Sequence, residues 1–282
     1  MRIIFHGDDF GLTSGINKGI IYSFKQGLLS STSLVASGEA AEEAISLAKE
    51  NPGLDVGIHL VLCDESPLLP PKFLSSIPSG GSFLPTRRKI LEAILARKID
   101  YQQVEAEWRA QIEKPLNAGI PITHIDSHQF VHLFPGLLPH CLRLARTYKI
   151  PYMRSSILDR ISLDEGYKRL VQCIALKLWV RLFVLWRLPL GIKSVPTIGF
   201  LKAGGRMDCK SVLSTIDMIA EKKLCSEVEV MLHPGVGDAY TCHKYTHWQY
   251  HWNNDLELLL DRTLAEKLNR RGIEITSYRE LP

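Results

Sequence analysis

Residues 2–15 read RIIFHGDDFGLTSG, and this stretch contains a strand followed by the start of a helix, the pattern that predicts the fold. The apolar, β-branched run at 3–5 is typical of a buried strand, and a helical pattern begins at Ser14. Between them stand Asp8 and Asp9, two acidic residues side by side. Adjacent ionised carboxylates repel each other where water is partly excluded, so this pair needs a compensating partner.

The alternation of strand and helix continues along the chain. Strand-like runs occur at 2–6, 32–36, 56–62, 122–126, 151–154, 197–200, 228–233 and 273–277. Helical patterns occur at 14–26, 40–50, 87–117, 137–148, 163–188, 210–223 and 255–271. This order predicts an α/β fold with parallel crossovers, either a distorted or incomplete (β/α) barrel or an open doubly wound sheet. We expect residues 1–282 to form one catalytic domain, with an irregular insertion at about 64–86 and a basic amphipathic segment at about 163–190.

The composition favours a globular protein of the cytoplasm. Hydrophobic residues make up 45% of the chain, enough for a large core, and the net charge of +4 is too mild to predict binding to nucleic acid. The six cysteines have no CxxC spacing, and no signal-peptide pattern follows Met1, so we expect reduced thiols. The oligomeric state is open, and a homodimer is compatible with the sequence.

Polar residues follow several of the predicted strands at the point where each strand ends. They are Asp8, Asp9, His59, Asp126, His128, Arg154 and His233. Because the carboxyl ends of parallel strands open onto one face, these side chains should converge. A plainer interpretation is that each histidine is a hydrogen-bonded structural residue and that the paired acids cap the helix starting at Ser14.

A divalent cation explains the acidic pair better. One carboxylate would bind the cation, and the other, held ionised by its charge, could take a proton from a bound water. A carboxylate with two imidazoles leaves coordination positions for water and substrate, as a catalytic site requires. Zn²⁺ and Mg²⁺ are the first candidates, and such donors also accept Mn²⁺, Co²⁺ or Ni²⁺.

Long blocks of sequence carry a resemblance to a known family. The blocks GDDFG at 7–11, GINKGII at 15–21, THIDSHQFVH at 123–132, VMLHPG at 230–235 and GIEITSYREL at 272–281 resemble the YdjC-like carbohydrate deacetylases, most closely the hopanoid-biosynthesis-associated (HpnK-type) branch. The resemblance implies a barrel of the polysaccharide-deacetylase and glycoside-hydrolase type. It also implies a metal-dependent enzyme that removes the N-acetyl group from an amino sugar.

Carried onto matching positions, the resemblance implies specific roles. Asp9, His59 and His128 would be the metal ligands, Asp8 the general base and His233 the general acid. Arg154 matches a family arginine near the catalytic carboxylate and is a substrate-binding candidate. The chain departs from the family pattern in two places: His6-Gly7 replaces the usual Asn-Ala, and Phe130 replaces a histidine of the DSHxHxH block.

Two further segments bear on the substrate. Residues 166–207 hold eight basic residues and no acidic one, interleaved with apolar side chains, which predicts either a barrel helix or a helix lying on an anionic membrane surface. A lipid-linked amino sugar, such as an N-acetylglucosaminyl hopanoid, would be reached there. His243, His247 and His251 recur every four residues among aromatic side chains, and we interpret them as an aromatic lid or sugar-stacking surface rather than a second metal site.

Other classes of protein remain as alternatives. A metal-dependent phosphoesterase could use the same cluster of side chains. A glycosidase needs two opposed carboxylates, and beyond the acidic pair only Asp126 is suitably placed. A non-catalytic sugar- or lipid-binding protein would have no need of a separate base and acid.

Overall fold

The computed structural model describes residues 1–76, 78–79, 82–160, 166–184 and 191–282. Its main sheet has nine strands, in the order β7-β6-β3-β2-β1-β10-β9-β8 with β11 on β1, and every strand pairing in it is parallel. These strands are β1 (Arg2–Phe10), β2 (Ser31–Leu34), β3 (Asp55–Leu60), β6 (His124–Ser127), β7 (Tyr152–Met153), β8 (Ser156–Ile157), β9 (Pro196–Ile198), β10 (Glu227–Leu232) and β11 (Glu274–Ile275). A separate antiparallel pair, β4 (Pro78–Ser79) and β5 (Ser82–Phe83), lies in the insertion.

Helices alternate with these strands. They are α1 (Ser14–Gln26), α2 (Ala41–Glu50), α3 (Arg87–Leu95), α4 (Tyr101–Asn117), α5 (Leu138–Thr147), α6 (Tyr167–Trp179), α7 (Cys209–Glu221), α8 (Ala239–Lys244), α9 (Trp252–Leu260) and α10 (Arg262–Arg270). Because strands and helices alternate and the sheet curls, the fold is an α/β, (β/α) barrel-like fold, as the sequence predicts. Within the described residues, no helix is both long and apolar enough to cross a membrane.

The eight predicted strands all appear, with shifted ends, and three predicted helices differ from the structure. The segment 87–117 is two helices because the Asp100 carboxylate accepts the backbone N–H of Gln102 and starts α4 anew. The segment 255–271 divides in the same way at Asp261, which caps α10. Of the segment 163–188, the structure describes α6 and a π-helical turn at Val180–Val184, while 163–165 and 185–188 lie outside the described residues.

Strand β1 is the middle of the sheet and brings the acidic pair to the carboxyl end of the barrel. Its residues from Ile3 onward are buried, and it pairs with β2 on one side and β10 on the other. The suggestion that the acidic pair caps α1 is wrong, because Thr13 accepts the backbone N–H of Ile16 at that helix start. The acidic pair therefore does not serve as the cap of α1.

Candidate metal centre

The acidic pair lies at the end of β1 on an irregular backbone. Asp8 is 3% and Asp9 1% exposed, so both carboxylates are withdrawn from bulk water. Asp9 has a φ of 73°, a left-handed backbone conformation that residues other than glycine rarely adopt. The register between β1 and β2 also shifts between Gly7 and Phe10. Such strain persists where surrounding structure enforces it, most often at functional sites.

Asp9 meets two histidines from two other strand ends. Its Oδ1 lies 3.5 Å from His59 Nε2 and 3.5 Å from His128 Nδ1. Potential ligand atoms of the three residues all lie within 4.8 Å of one another. Both Asp9 oxygens are buried without a hydrogen-bond partner, which is costly for a carboxylate unless a cation compensates it. The residues present therefore fit one divalent cation held by an aspartate and two imidazoles.

The protonation of this cluster reflects the same negative charge. Burial lowers the pKa of His128, but the nearby carboxylates of Asp64 and Asp9 outweigh burial and raise it to about 10. Burial raises the pKa of Asp9, but His128, His233 and His59 together outweigh that effect and the pKa falls below its usual value. These opposite shifts show that the carboxylates around His128 favour a positive charge at this position.

Each candidate ligand histidine also faces a second carboxylate. His59 Nδ1 lies 2.8 Å from Asp126 Oδ1, and His128 Nε2 lies 3.4 Å from Asp64 Oδ2. In both rings, the nitrogen that faces this second carboxylate is the one turned away from Asp9. Carboxylates in this position fix the orientation and tautomer of a ligand histidine and increase its basicity.

Asp8 is held by an arginine instead. Arg154 donates from Nη1 to Asp8 Oδ2 at 2.8 Å and from Nη2 to Asp8 Oδ1 at 2.7 Å. The same guanidinium lies 2.8 Å from Asp126 and 2.7 Å from Glu229. Burial raises the pKa of Asp8, but the charge and hydrogen bonds of Arg154, together with His6 and His59, outweigh it and hold the pKa well below the usual value. Asp8 is therefore ionised at neutral pH.

The position of Arg154 differs from the direct substrate contact suggested by the sequence. Its side chain is 1% exposed, lies beneath the acidic pair and does not line the cavity described below. Three carboxylates already surround its guanidinium, which leaves it little capacity for substrate. The geometry therefore supports a role for Arg154 in holding Asp8 in position.

His233 stands at the end of β10, across from Asp8. Its Nε2 lies 3.8 Å from Asp8 Oδ2. The His233 backbone N–H donates to Asp255 Oδ2 at 2.9 Å, and the ring packs edge-on against Tyr250 with centroids 4.8 Å apart. Its Nδ1 is buried without a hydrogen-bond partner. Asp8 and His233 are thus two proton-transfer candidates on one cavity.

That cavity has a volume of about 330 Å³, at the small end of the range for ligand sites. Asp8, His59, His128 and His233 line it, together with the aromatic side chains of Phe130, Phe200, Trp248 and Tyr250. Trp248 also packs on His128, with ring centroids 4.8 Å apart. Flat aromatic faces beside polar groups suit the alternating apolar and hydroxyl surfaces of a sugar.

The three histidines at four-residue spacing do not share a helix. Helix α8 ends at Lys244, a helical turn follows at Thr246–Trp248, and α9 begins at Trp252. All three histidines are exposed, and His247 alone among them lines the cavity, with Nε2 3.6 Å from Asp64 Oδ1. Of the aromatic side chains near them, Trp248 and Tyr250 line the cavity.

The two departures from the family pattern lie in different places. His6 is fully buried beneath the site, with its ring nitrogens 3.2 Å from the hydroxyls of Ser31 and Ser33 and 3.3 Å from Asp8. Phe130 lines the cavity and packs edge-on against Phe200. The change at Phe130 thus alters the wall that meets a ligand, whereas His6 acts on the support beneath it.

Sequence reasoning missed Asp64 and Asp255. Asp64 follows the end of β3 by four residues, and a position after a strand is the signal that identifies the other site residues. Because Asp64 also begins the predicted irregular insertion, that signal is easily overlooked. Asp255 lies in α9 and reaches His233 only through the three-dimensional path of the chain. Nothing in its local sequence sets it apart from a solvated helix residue.

Known proteins are similar to this chain along nearly all of its length. A family model described as YdjC-like protein matches residues 2–270. Relatives named carbohydrate deacetylase include one from Vibrio campbellii, 32% identical over all of this chain and 96% of the relative, and one from Clostridium beijerinckii, 28% identical over all of both chains. A solved structure from Enterococcus faecalis V583, provisionally described as a cellobiose-phosphate cleavage protein, is 25% identical with a TM-score of 0.74, over 99% of this chain and 97% of that chain.

Proposed function

The chain belongs to the YdjC-like protein family, and from this premise we propose that it is a metal-dependent hydrolase that removes the N-acetyl group from an amino sugar. Its relatives named carbohydrate deacetylase support this class of reaction. One structural observation carries the proposal: the buried, unpartnered carboxylate of Asp9 lies between His59 and His128, next to Asp8 and His233.

Asp9, His59 and His128 would hold one divalent cation, with Zn²⁺ and Mg²⁺ as the first candidates. When bound, such a cation would polarise the acetamide carbonyl and make a coordinated water more acidic. Asp64 and Asp126 would keep the two imidazole rings in the orientation that ligation needs.

Asp8 and His233 would transfer the protons. As water adds to the acetamide carbon, Asp8 accepts the proton that the water loses. As the C–N bond breaks, His233 donates a proton to the departing nitrogen, which would otherwise be a very poor leaving group. The products are acetate and the free amino sugar. Arg154 would hold Asp8 ionised and correctly oriented without touching the substrate.

We propose further that residues 1–282 act as one catalytic domain in the cytoplasm. The site draws on residues from β1, β3, β10 and the segment after β6, so no smaller part of the sheet contains all of it. The six cysteines are free in the structure, which agrees with a reducing compartment.

The finer substrate proposal is a lipid-linked amino sugar, such as an N-acetylglucosaminyl hopanoid, reached at the inner membrane surface. The motif resemblance to the hopanoid-associated branch supports it, and so does helix α6. A row of apolar side chains stands exposed on α6 and the turn after it: Tyr167, Val171, Ile174, Leu178 and Leu182. Exposed Lys168 and Arg181 accompany the row. A basic helix with an exposed apolar row suits an anionic bilayer surface.

Flotation with vesicles tests this membrane contact. Anionic vesicles at low salt should carry the protein upward, and neutral vesicles should not. Replacing Ile174 and Leu178 by serine should abolish flotation without changing deacetylation of a soluble substrate. No association at low salt would contradict the contact, and a stable homodimer that buries the same row would assign it to a second copy.

Acetate release tests the main proposal. The metal-loaded protein should release one acetate per N-acetylglucosaminyl group, chelation should stop the release, and added metal should restore it. Hydrolysis of a phosphate ester or of a glycosidic bond without acetate release would indicate one of the alternative enzymes. Substrate binding without any turnover would indicate a binding protein.

A further inference from the structure

The cavity has a basic side as well as an acidic one. Arg87, Arg169 and Gln172 line it together, and we call these three residues the arginine patch. Arg169 and Gln172 are three residues apart on α6 and therefore share a helix face. Arg87, the first residue of α3, donates from Nη2 to Gln172 Oε1 at 2.7 Å. The three side chains are thus one contiguous group.

Among the described residues, no carboxylate lies close enough to Arg87 to act as its counter-ion. Within the part of the chain that the structure describes, it has no carboxylate partner, and its hydrogen bond to Gln172 goes to a neutral amide. The side chain is half-buried, and burial lowers the pKa of its guanidinium. Arg154, by contrast, is surrounded by Asp8, Asp126 and Glu229.

The surroundings of Arg87 leave most of its donors available to a ligand. A guanidinium carries five N–H donors in a planar fork that matches phosphate and carboxylate oxygens. Arg169 is tied to the cavity wall by donation from Nη1 to the Leu201 carbonyl at 2.9 Å. Two arginines held on one cavity wall, with an amide bridging to one of them, form a ready site for an anion.

We propose that the arginine patch binds an oxyanion of the substrate, a phosphate in the first instance, while the acetamide lies between Asp8 and His233. This inference rests on the proposed function for the acetamide end and on the cavity for the anion end. The phosphate could belong to a soluble sugar phosphate or could join the sugar to a lipid. In both cases the patch sets specificity, and the acidic end performs the reaction.

Binding of inorganic phosphate tests the patch separately from catalysis. The titration uses the chelator-treated full chain, so that no cation contributes to phosphate binding. Arg87→Gln should weaken phosphate binding at least about tenfold, because a charge-assisted fork is lost. Arg88→Gln is the matched control: it removes the same charge one residue away, at an exposed side chain that pairs with Glu92, and should leave binding unchanged. Phosphate binding that is absent, or equal in Arg87→Gln and the native protein, would overturn the proposal.

Steady-state kinetics separate recognition from a structural role. The substrates are N-acetylglucosamine, its 1-phosphate, its 6-phosphate and a lipid-phosphate-linked form in vesicles. Arg87→Gln should raise KM for whichever phosphorylated form the native protein prefers and should leave kcat for that form nearly unchanged. Both kinetic constants for the uncharged sugar should also change little. Arg87→Lys, which keeps the charge but loses the fork, should recover part of the loss.

The kinetic outcomes distinguish the two proposals. Preference for the lipid-linked form identifies a lipid source of the phosphate, and preference for a soluble form identifies a sugar phosphate. An equal loss of kcat on charged and uncharged substrates would show that Arg87 only ties α3 to α6, and would refute the patch while leaving deacetylation intact. If no substrate releases acetate, deacetylation fails, and the phosphate titration still decides the patch.

Discussion

At the scale of single residues, the site depends on how each charge is balanced. Asp8 is paired with Arg154, whereas Asp9 has no hydrogen-bond partner among the described residues and lies 3.5 Å from the imidazoles of His59 and His128. Two adjacent carboxylates with such different surroundings can do different work, one as a proton acceptor and the other as a ligand. His233, whose Nε2 lies 3.8 Å from Asp8 Oδ2, is the candidate for the second proton-transfer group.

Removing either proton-transfer group should slow the reaction without removing the metal. Asp8→Asn keeps the shape of the side chain but cannot accept a proton, and His233→Ala removes the proton donor. We expect kcat to fall about 100-fold or more in each case, with metal content by elemental analysis unchanged. Asp217→Asn, a surface change remote from the cavity, serves as the control. Near-normal turnover in either catalytic variant would refute its assigned role.

Asp64 should act on the metal through His128. Asp64→Asn should weaken metal binding about 10- to 100-fold, because the ring loses the carboxylate that orients it. Glu65→Gln removes the neighbouring negative charge but not the contact with His128, and should change affinity far less. Competition with a fluorescent chelator measures both. Equal weakening by the two changes would attribute the effect to net charge rather than to orientation.

Strand-end positions predict that the candidate site residues converge, and the family resemblance predicts their roles, but neither predicts the residues that support them. Asp8, Asp9, His59, His128 and His233 follow strands, so one architectural rule places them together. Asp64 and Asp255 come from an insertion and a helix, where sequence periodicity gives no direction toward the site. Arg154 was expected at the substrate because a strand-end position does not reveal how many carboxylates will surround the side chain.

At the scale of elements, the helical turn His128–Leu133 connects the candidate metal ligand His128 to the barrel. Gln129 and Phe130 both have left-handed backbone angles, with φ of 54° and 59°. His132 closes the turn: its ring is fully buried, bonded to Ser127 and 2.7 Å from the Arg154 carbonyl. The turn thereby links His128 to the arginine beneath the acidic pair.

His132 should make folding stability depend on pH. Burial lowers its pKa to about 4 from 6.5, so the unfolded chain takes up a proton that the folded protein resists. Its contribution is full above pH 6.5 and is lost as the pH falls toward 4, up to about 3 kcal/mol. Urea unfolding at pH 7.5 and pH 5 should show a smaller loss of stability in His132→Asn than in the native protein. An identical loss in the two proteins would contradict this account.

Element boundaries were less predictable than element types. The breaks at Asp100 and Asp261 interrupt long helical patterns, because each carboxylate caps a new helix rather than continuing the old one. Both residues are ordinary on a solvated helix face, so periodicity alone does not distinguish a break from a continuation. The strand β8 is two residues long, too short for any alternating pattern to reveal it.

At the scale of the whole molecule, the barrel encloses a charged interior at one end. His6, Asp126, Arg154 and Glu229 are all buried there among the parallel strands. Parallel strands with apolar residues on both faces made the fold predictable, while this polar interior followed no apolar pattern. A buried charge without its partner is destabilising, so occupancy of the metal site should register in global stability.

Metal removal should therefore lower the thermal midpoint. A cation at 100 times its dissociation constant should add about 2.7 kcal/mol to the stability of the native protein. Asp9→Asn should lose this metal-dependent gain and, in chelator, should be at least as stable as the native protein, because the uncompensated carboxylate is gone. Differential scanning calorimetry with and without metal gives both comparisons. A chelator-insensitive midpoint would count against a cation bound to the folded state.

Strand β1 lies between a neighbour encoded early, β2, and one encoded late, β10. During synthesis on the ribosome, the strand bearing Asp8 and Asp9 waits with one edge unpaired until Glu227–Leu232 has emerged. Closing such a distant pairing is slow, since the intervening chain must be gathered first. Newly made chains should thus complete the centre of the sheet only after β10 has been translated.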